Sequence, residues 1–465
     1  MADDRLYWIW LAEATGAGSS LGVKLVNRFG SARLVYEAEI DGETDLSGFN
    51  KNEITRTRRI LSEKSTDKAE KILKKSEELG QRILVPTDGD FPLSLKNLRD
   101  APLVLYTLGR LPRFNSDLFV SAVGSRKMSD YGRDSAYALG YGLASGGACV
   151  VSGMALGVDS AAMTGALEAG GITVAVLGSG ADVIYPREHR ELYHAVLRDG
   201  CVMSEFPPGT EPSGFRFPVR NRIISGLSVA TVVIEADGGS GSLITARHAA
   251  YQGRAVFAVP GRVGTPGSFG TNNLLKNGAL VATSAEDILA EYEFTFPHSV
   301  SLGACRNALR GVDIPSAAEK AVSRMRVGSR GSGNYYGEGT YGGKKLPSSY
   351  PRKNEDRKEE TVRLGELSGD LPAGFVRVGG KSETPREPQR IDLDMLDEVN
   401  IRVYNLMTPD VPVTADELVR SDLPVSEVLA SMSALELAGA IEAGAGGYYL
   451  RRGSDDLSAE SFSAE

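Results

Sequence analysis

Between residues 118 and about 292 the chain repeats one pattern: a short apolar run, then a longer amphipathic stretch. The apolar runs are 118–123, 148–151, 173–177, 201–204, 231–234 and 255–259, and amphipathic stretches at 134–143, 159–169, 189–198 and 243–252 separate most of them. Strands buried on both faces lose the alternation of a half-exposed sheet, and parallel neighbours need long crossovers, usually helices. The pattern predicts an α/β fold, a doubly wound sheet whose ligands bind beyond the carboxyl ends of its strands.

The flanks read differently. Residues 5–80 carry apolar positions at helical spacing, broken at Gly16-Ala17-Gly18, Gly30 and Gly80, which predicts an N-terminal helical domain over 1–84. Prolines at 86, 92 and 102 link it to the sheet domain, placed at 85–295. Residues 296–390 are rich in Gly, Ser, Lys, Arg and Pro with no apolar period, so a disordered linker is expected there, acting as spacer or as an auxiliary DNA-binding arm. Order returns at 391–452. Helices over 394–407, from Thr414 as N-cap, and over 425–438 precede two short strands joined through Gly444-Ala445-Gly446, the pattern of a winged helix. Its third helix carries Glu427 and Glu436 and no Lys or Arg, which favours a structural or protein-contact role over phosphate binding. Residues 453–465 read as a disordered tail.

Charge narrows the partners. The formal net charge is −8, so any polyanion site must be a local patch rather than a global field. Cys149, Cys201 and Cys305 are scattered, and the histidines form no H-E-x-x-H pattern, so neither a disulfide framework nor a metal centre is signalled. The acidic start lacks a basic signal-peptide region, and no apolar run approaches the ~18 residues of a membrane span. A reduced, soluble, cytoplasmic protein is expected.

The strand ends carry the chemistry. The first ends in Gly124-Ser125-Arg126, with Ser129 placed to cap the next helix. Free amides and a guanidinium there suit a phosphate, or mark only a tight turn with a surface arginine. The second ends in Ser152-Gly153 and the third in Gly178-Ser179-Gly180, where small residues allow close backbone approach. The densest cluster is Phe215-Arg216-Phe217-Pro218-Val219-Arg220-Asn221-Arg222, followed by a helix expected to begin around Asn221. Arginines fork to phosphates and phenylalanine stacks on an unpaired base. The competing reading pairs one arginine with Glu205 or Glu235 and buries Phe217. Finally, Gly238-Gly239-Ser240-Gly241-Ser242 opens a helix as an anion nest, and Glu235 and Asp237 before it read as ion-pair partners of the arginines.

Taken in register, these segments resemble the DprA/Smf family of DNA-processing proteins. The resemblance runs through Gly-Ser-Arg at 124–126, Ser-Gly-Met-Ala-Leu-Gly-Val-Asp at 152–159, and Ala-Val-Leu-Gly-Ser-Gly-Ala-Asp-Val-Ile-Tyr-Pro at 175–186. It continues through Ser-Glu-Phe-Pro-Pro-Gly at 204–209, Phe-Pro-Val-Arg-Asn-Arg-Ile-Ile-Ser-Gly-Leu-Ser at 217–228, Gly-Ser-Gly-Ser-Leu-Ile-Thr-Ala at 239–246 and Val-Pro-Gly at 259–261. It is close over about 90–290 and looser at both ends. It implies an extended Rossmann-like domain that binds single-stranded DNA, with a helical SAM-like domain before it and a winged helix after it. It also implies a homodimer that engages a RecA-type recombinase in transformation and homologous recombination, with no cofactor, no metal and no catalytic residue. The DNA-site residues carried over are Gly124, Ser125, Arg126, Gly153, Phe217, Arg220, Asn221, Arg222, Ser240, Gly241 and Ser242. Two positions depart from the family, which has Arg where Leu156 stands and His where Met163 stands.

The rival reading is a nucleotide-processing hydrolase of the phosphoribohydrolase type, whose nest continues P-G-G-x-G-T-x-x-E. Here Thr245 takes the place of the catalytic Glu, and a hydroxyl does not do a carboxylate's proton transfer near neutrality. A dehydrogenase lacks its third glycine, and the P-loop G-x-x-x-x-G-K-[ST] is absent.

Overall fold

The computed structural model describes residues 4–39, 46–326, 340–341, 344–345 and 398–407, and positions scattered from 413 to 451. They fall into two compact units, residues 1–346 and 347–465.

The first unit opens with α1 (Arg5–Thr15), α2 (Ser20–Phe29), α3 (Ala32–Glu37), α4 (Lys51–Ser62) and α5 (Asp67–Glu78). Ser19 and Ser31 cap α2 and α3, and Asn50 with Glu53 closes a capping box on α4. These helices do not keep a core of their own. Trp8, Ile9, Leu11, Leu25 and Val35 share one buried cluster with Tyr106, Met163 and Leu177 of the sheet domain.

The sheet has nine strands: β1 (Arg82–Leu84), β2 (Leu105–Gly109), β3 (Phe119–Val123), β4 (Cys149–Ser152), β5 (Thr173–Leu177), β6 (Cys201–Ser204), β7 (Ala230–Val233), β8 (Ala255–Ala258) and β9 (Leu280–Val281). Their order is β1-β2-β6-β5-β4-β3-β7-β8-β9. All six apolar runs become parallel strands, β3 to β8. Three further strands lie outside that pattern. β1 and β2 add an antiparallel pair beside β6, and β9 extends β8 in parallel. Because β1 pairs in the sheet, the expected domain boundary at 84 falls one strand too late.

The connections are α6 (Leu93–Lys96), α7 (Asp130–Ser145), α8 (Val158–Glu168), α9 (Arg190–Asp199), α10 (Arg216–Leu227), α11 (Ser242–Tyr251) and α12 (Phe269–Lys276), and α13 (Ala285–Leu289) follows the last strand. They cover both faces. Val120 and Ala122 pack with α7 and α8, while Phe119 and Val123 pack with Ile223, Ile224 and Leu227 of α10. Alternation along one strand thus feeds two cores.

The expected linker begins too early at 296. α14 (Leu302–Asn307) and α15 (Ile314–Arg324) follow, and α15 lays Ala318 and Ala321 on Tyr137 of α7. Ile314, Ala317, Ala318 and Ala321 recur at helical spacing and supply the buried stripe. Arg324 Nη2 then meets Glu168 Oε1 at 2.9 Å. Beyond Arg326, only β10 (Thr340–Tyr341) and β11 (Lys344–Lys345), an antiparallel pair, belong to the described residues before 398.

The second unit contains α16 (Glu398–Leu406), β12 (Val413–Thr414), β13 (Ile441–Ala443) and β14 (Tyr448–Arg451), the strands ordered β12-β14-β13. Val403, Tyr404, Met407, Val428, Met432 and Leu435 form its core. Thr414, expected as a helix cap, pairs with Tyr448 in a strand instead. The expected acidic positions Glu427 and Glu436, and the tail at 453–465, lie outside the described residues. No helix among the described residues is long and apolar enough to cross a membrane.

Candidate nucleic-acid interface

Strands β3, β4 and β5 end side by side, and each is followed by a glycine: Gly124, Gly153 and Gly178. α10 arrives at these ends from the opposite face of the sheet. It begins at Arg216, about a turn and a half before the expected start at Asn221. Pro218 lies in its first turn, where no intrahelical partner for its missing N–H is needed. Arg220 and Arg222 are therefore in the second turn, roughly 200° apart around the axis rather than together at a positive helix end.

Arg220 points into the strand ends and is 5% exposed. Its Nη1 donates to the carbonyls of Gly153 (2.9 Å) and Val176, and its Nε donates to Asn221 Oδ1 at 3.2 Å. The buried Asp159 carboxylate accepts from the Gly153 and Ala155 amides at 3.1 and 3.4 Å. Burial lowers the Arg220 guanidinium to about 10, with Asp159 opposing that shift and Arg126 adding to it. Near neutrality Arg220 remains a fixed cation at the pocket floor.

Phe217 stands above it, half-buried. The Tyr185 ring stacks on it at 5.5 Å between centroids and 26° between planes, and the Arg126 guanidinium lies 5.2 Å from the Phe217 centroid. Gly178 makes room, since a Cβ there would fall 2.8 Å from Phe217 Cδ1. Together with Gly153 and Leu156 these groups line a small pocket with one exposed cation, Arg126, and one buried cation, Arg220. Leu156 is 37% exposed at the rim, so a charge of the kind the resemblance expects there would meet solvent, whereas Met163 is wholly buried away from the pocket.

The turn carrying Arg126 is fastened on both sides. The Ser125 amide donates to the Glu235 carbonyl at 2.6 Å, and the Val158 amide donates to the Ser125 carbonyl at 3.1 Å. Gly124 packs on Val158, where a Cβ would come within 2.7 Å. Glu235, expected to pair with an arginine, instead accepts from the Ser129 N–H (2.9 Å) and Oγ–H (3.0 Å).

The anion nest lies beside the pocket rather than within it. Asn221 joins the two: its Oδ1 accepts from Arg220 and its Nδ2 donates to the Gly241 carbonyl at 3.4 Å. Ser240 and Ser242 hydroxyls are 2.8 Å apart at the start of α11, and Thr245 is buried one turn on.

Arg222 is not at the strand ends. It is 2% exposed, with Nη2 on Glu205 Oε1 at 2.7 Å and Nε 3.2 Å from Asp100 Oδ2. Glu205 Oε1 also accepts from the Gly18 amide at 3.3 Å, so this pair ties α10 to the N-terminal helices. The ion-pair reading of one arginine holds, and it is Arg222. Tyr185 joins the site without having been singled out by the sequence. Its only signal is an aromatic a few positions past a glycine-rich strand end, in the run Val-Ile-Tyr-Pro.

Fold and pocket together define a Rossmann-like α/β protein with a cationic, ring-lined recess at its strand ends. The family model for DNA recombination-mediator protein A matches residues 82–293, and that for the DprA winged helix domain matches 385–447. The chain is 34% identical to Protein Smf of Synechocystis over 62% of this chain and 72% of that protein. It is 42% identical to DNA processing protein DprA of Streptococcus pneumoniae over 44% of this chain and 73% of that protein. The solved structure of DprA from Streptococcus pneumoniae superposes with a TM-score of 0.53 at 34% identity, covering 62% of this chain and 97% of that one. The chain belongs to the DprA/Smf family of DNA-processing recombination mediators, and its C-terminal unit is a winged helix.

Proposed function

We propose that this protein binds single-stranded DNA at the strand-end pocket and presents it to a RecA-type recombinase, in natural transformation and homologous recombination, without altering the strand. The observation that carries this is the column Arg126–Phe217–Tyr185 above the buried Arg220. Arg126 is exposed where a backbone phosphate would pass, and Arg220 holds positive potential beneath it. A base enters by replacing Arg126 over Phe217 or by stacking on Tyr185. Duplex bases are already stacked on one another, so the pocket favours single strands. The nest at 240–242, joined through Asn221, offers a second phosphate position. A homodimer would double the footprint and raise effective concentration along the strand. The protein acts in the cytoplasm on this reading.

The test is titration of labelled oligothymidylate, and of the same length as duplex, at several salt concentrations. Preference for the single strand, lost in Phe217→Ala, with affinity weakened in Arg126→Ala, is the expected result. Faster recombinase filament growth on strands coated by a single-strand-binding protein should accompany it. Equal affinity for duplex would overturn the single-strand reading, and turnover of nucleotide or DNA with Mg²⁺ would overturn it in favour of the hydrolase.

A further inference from the structure

Phe215 is 51% exposed on a surface the core does not need. Its ring lies 5.0 Å from the guanidinium of Arg216, which is also 5.5 Å from the ring of Phe206. Arg216 Nη1 donates to the Glu211 carbonyl, so the cation is held between two rings and a main-chain acceptor. The supporting loop is fastened at three points. The Phe206 amide donates to Ser204 Oγ at 3.0 Å, the Gly209 amide donates to the Asp182 carboxylate at 2.9 and 3.0 Å, and the Gly180 amide donates to the Thr210 carbonyl at 2.8 Å. An exposed ring backed by a fixed cation on a fastened loop is a pre-formed stacking surface.

We infer that Phe215 and Arg216 form a second base-binding platform outside the pocket, so that a strand seated on Phe217 continues across the start of α10 with its next bases on Phe215. This rests on the single-strand reading above. Phe215 has helical dihedrals as the N-cap of α10, so its ring and that of Phe217 point roughly 200° apart and cannot hold one nucleotide between them. Arg216 projects between them, where a linking phosphate would run. Phe215 shares its helix side with Val219 and Arg222. Val219 Cγ1 would lie 2.8 Å from a Cβ on Gly18, and Glu205, which binds Arg222, takes the Gly18 amide. The second platform therefore faces the α1–α2 turn, and the N-terminal helices border the path of the strand.

The experiment uses the full chain, oligothymidylates of increasing length, and the variants Phe215→Ala, Phe215→Trp and Phe217→Ala. Phe217→Ala should weaken binding at every length. Phe215→Ala should match the wild type on the shortest oligomer that binds and fall roughly tenfold behind on longer ones. Phe215→Trp should restore the longer-strand affinity, and its emission should be quenched by those oligomers alone, since Trp8 and Trp10 are buried. Wild-type affinity of Phe215→Ala at all lengths would overturn the second platform and leave the exposed ring as a protein contact. An equal loss at the shortest length would overturn it in favour of one composite site. Failure of the wild type to bind oligothymidylate, or of Phe217→Ala to weaken it, would overturn the single-strand reading itself.

Discussion

The guanidinium of Arg220 occupies the space that any side chain on Gly153 would need: a Cβ there would lie 2.5 Å from both terminal nitrogens. The two residues are also bonded, Nη1 to the Gly153 carbonyl at 2.9 Å. Glycine at 153 is thus what lets a buried cation sit directly beneath the pocket. Gly153→Ala should displace Arg220, cost about 1–3 kcal/mol of stability by overpacking, and weaken strand binding. Denaturant melts and DNA titrations check both, and wild-type affinity would show that the floor cation is dispensable.

Arg126 is exposed and touches the rest of the site through its face on Phe217. Arg126→Ala should keep the melting temperature and reduce the salt slope of binding by about 0.7 for each phosphate that the guanidinium neutralises. Phe217→Ala should cost ~1–3 kcal/mol of binding with little change in slope, because stacking releases no counterions. A slope unchanged in Arg126→Ala would remove that residue from the phosphate path.

Arg222 should behave in the opposite way from Arg126. Arg222→Ala leaves the Glu205 carboxylate buried without its partner, and the expected loss of stability is about 3–5 kcal/mol. The double variant Arg222→Met with Glu205→Leu should recover much of it. The folded fraction should bind DNA with the wild-type salt slope.

Acid should loosen the protein through His248. Burial lowers its imidazole from 6.5 to about 4, with Asp100 opposing and Arg222 and Arg247 adding to the shift. The folded state therefore prefers the neutral ring. As pH falls through 6.5 the unfolded chain takes up the proton first, and stability drops until about pH 4, by roughly 3 kcal/mol in all. His248→Gln should flatten the pH dependence of the melting midpoint over that window, and a curve unchanged from wild type would assign the acid limb to other groups.

Truncation should respect α15. A chain ending at 326 should melt near the full-length temperature of the first unit, whereas one ending at 295 uncovers Tyr137 and the α7 surface under Ala318 and Ala321. Calorimetry of the two fragments should separate them by several degrees.

What was legible follows from burial. The parallel strands stand out because both faces are covered, which makes each a continuous apolar run. β1 and β9 are three and two residues long, too short to show a period. The start of α10 is hard to place because Pro218 reads as a breaker when its position in the first turn is unknown. Which arginine turns to the strand ends could not be read from a run holding both Arg220 and Arg222. The answer depends on Glu205 and Asp100, which only the fold brings to Arg222. α15 is hidden because its apolar stripe sits inside a segment whose average composition is that of a linker.

One helix side carries Phe217 and Arg220 to the pocket, and the other carries Val219 and Arg222 to the N-terminal helices. Residues 216–222 consequently serve two packing tasks at once. A change that retunes the grip on a ligand by turning or shifting this helix also loosens the seam that holds the first eighty residues in place. Evolutionary and engineered adjustment of affinity should therefore collect on the loops, at positions such as Arg126, Leu156 and Tyr185, while the helix that joins the two tasks stays fixed.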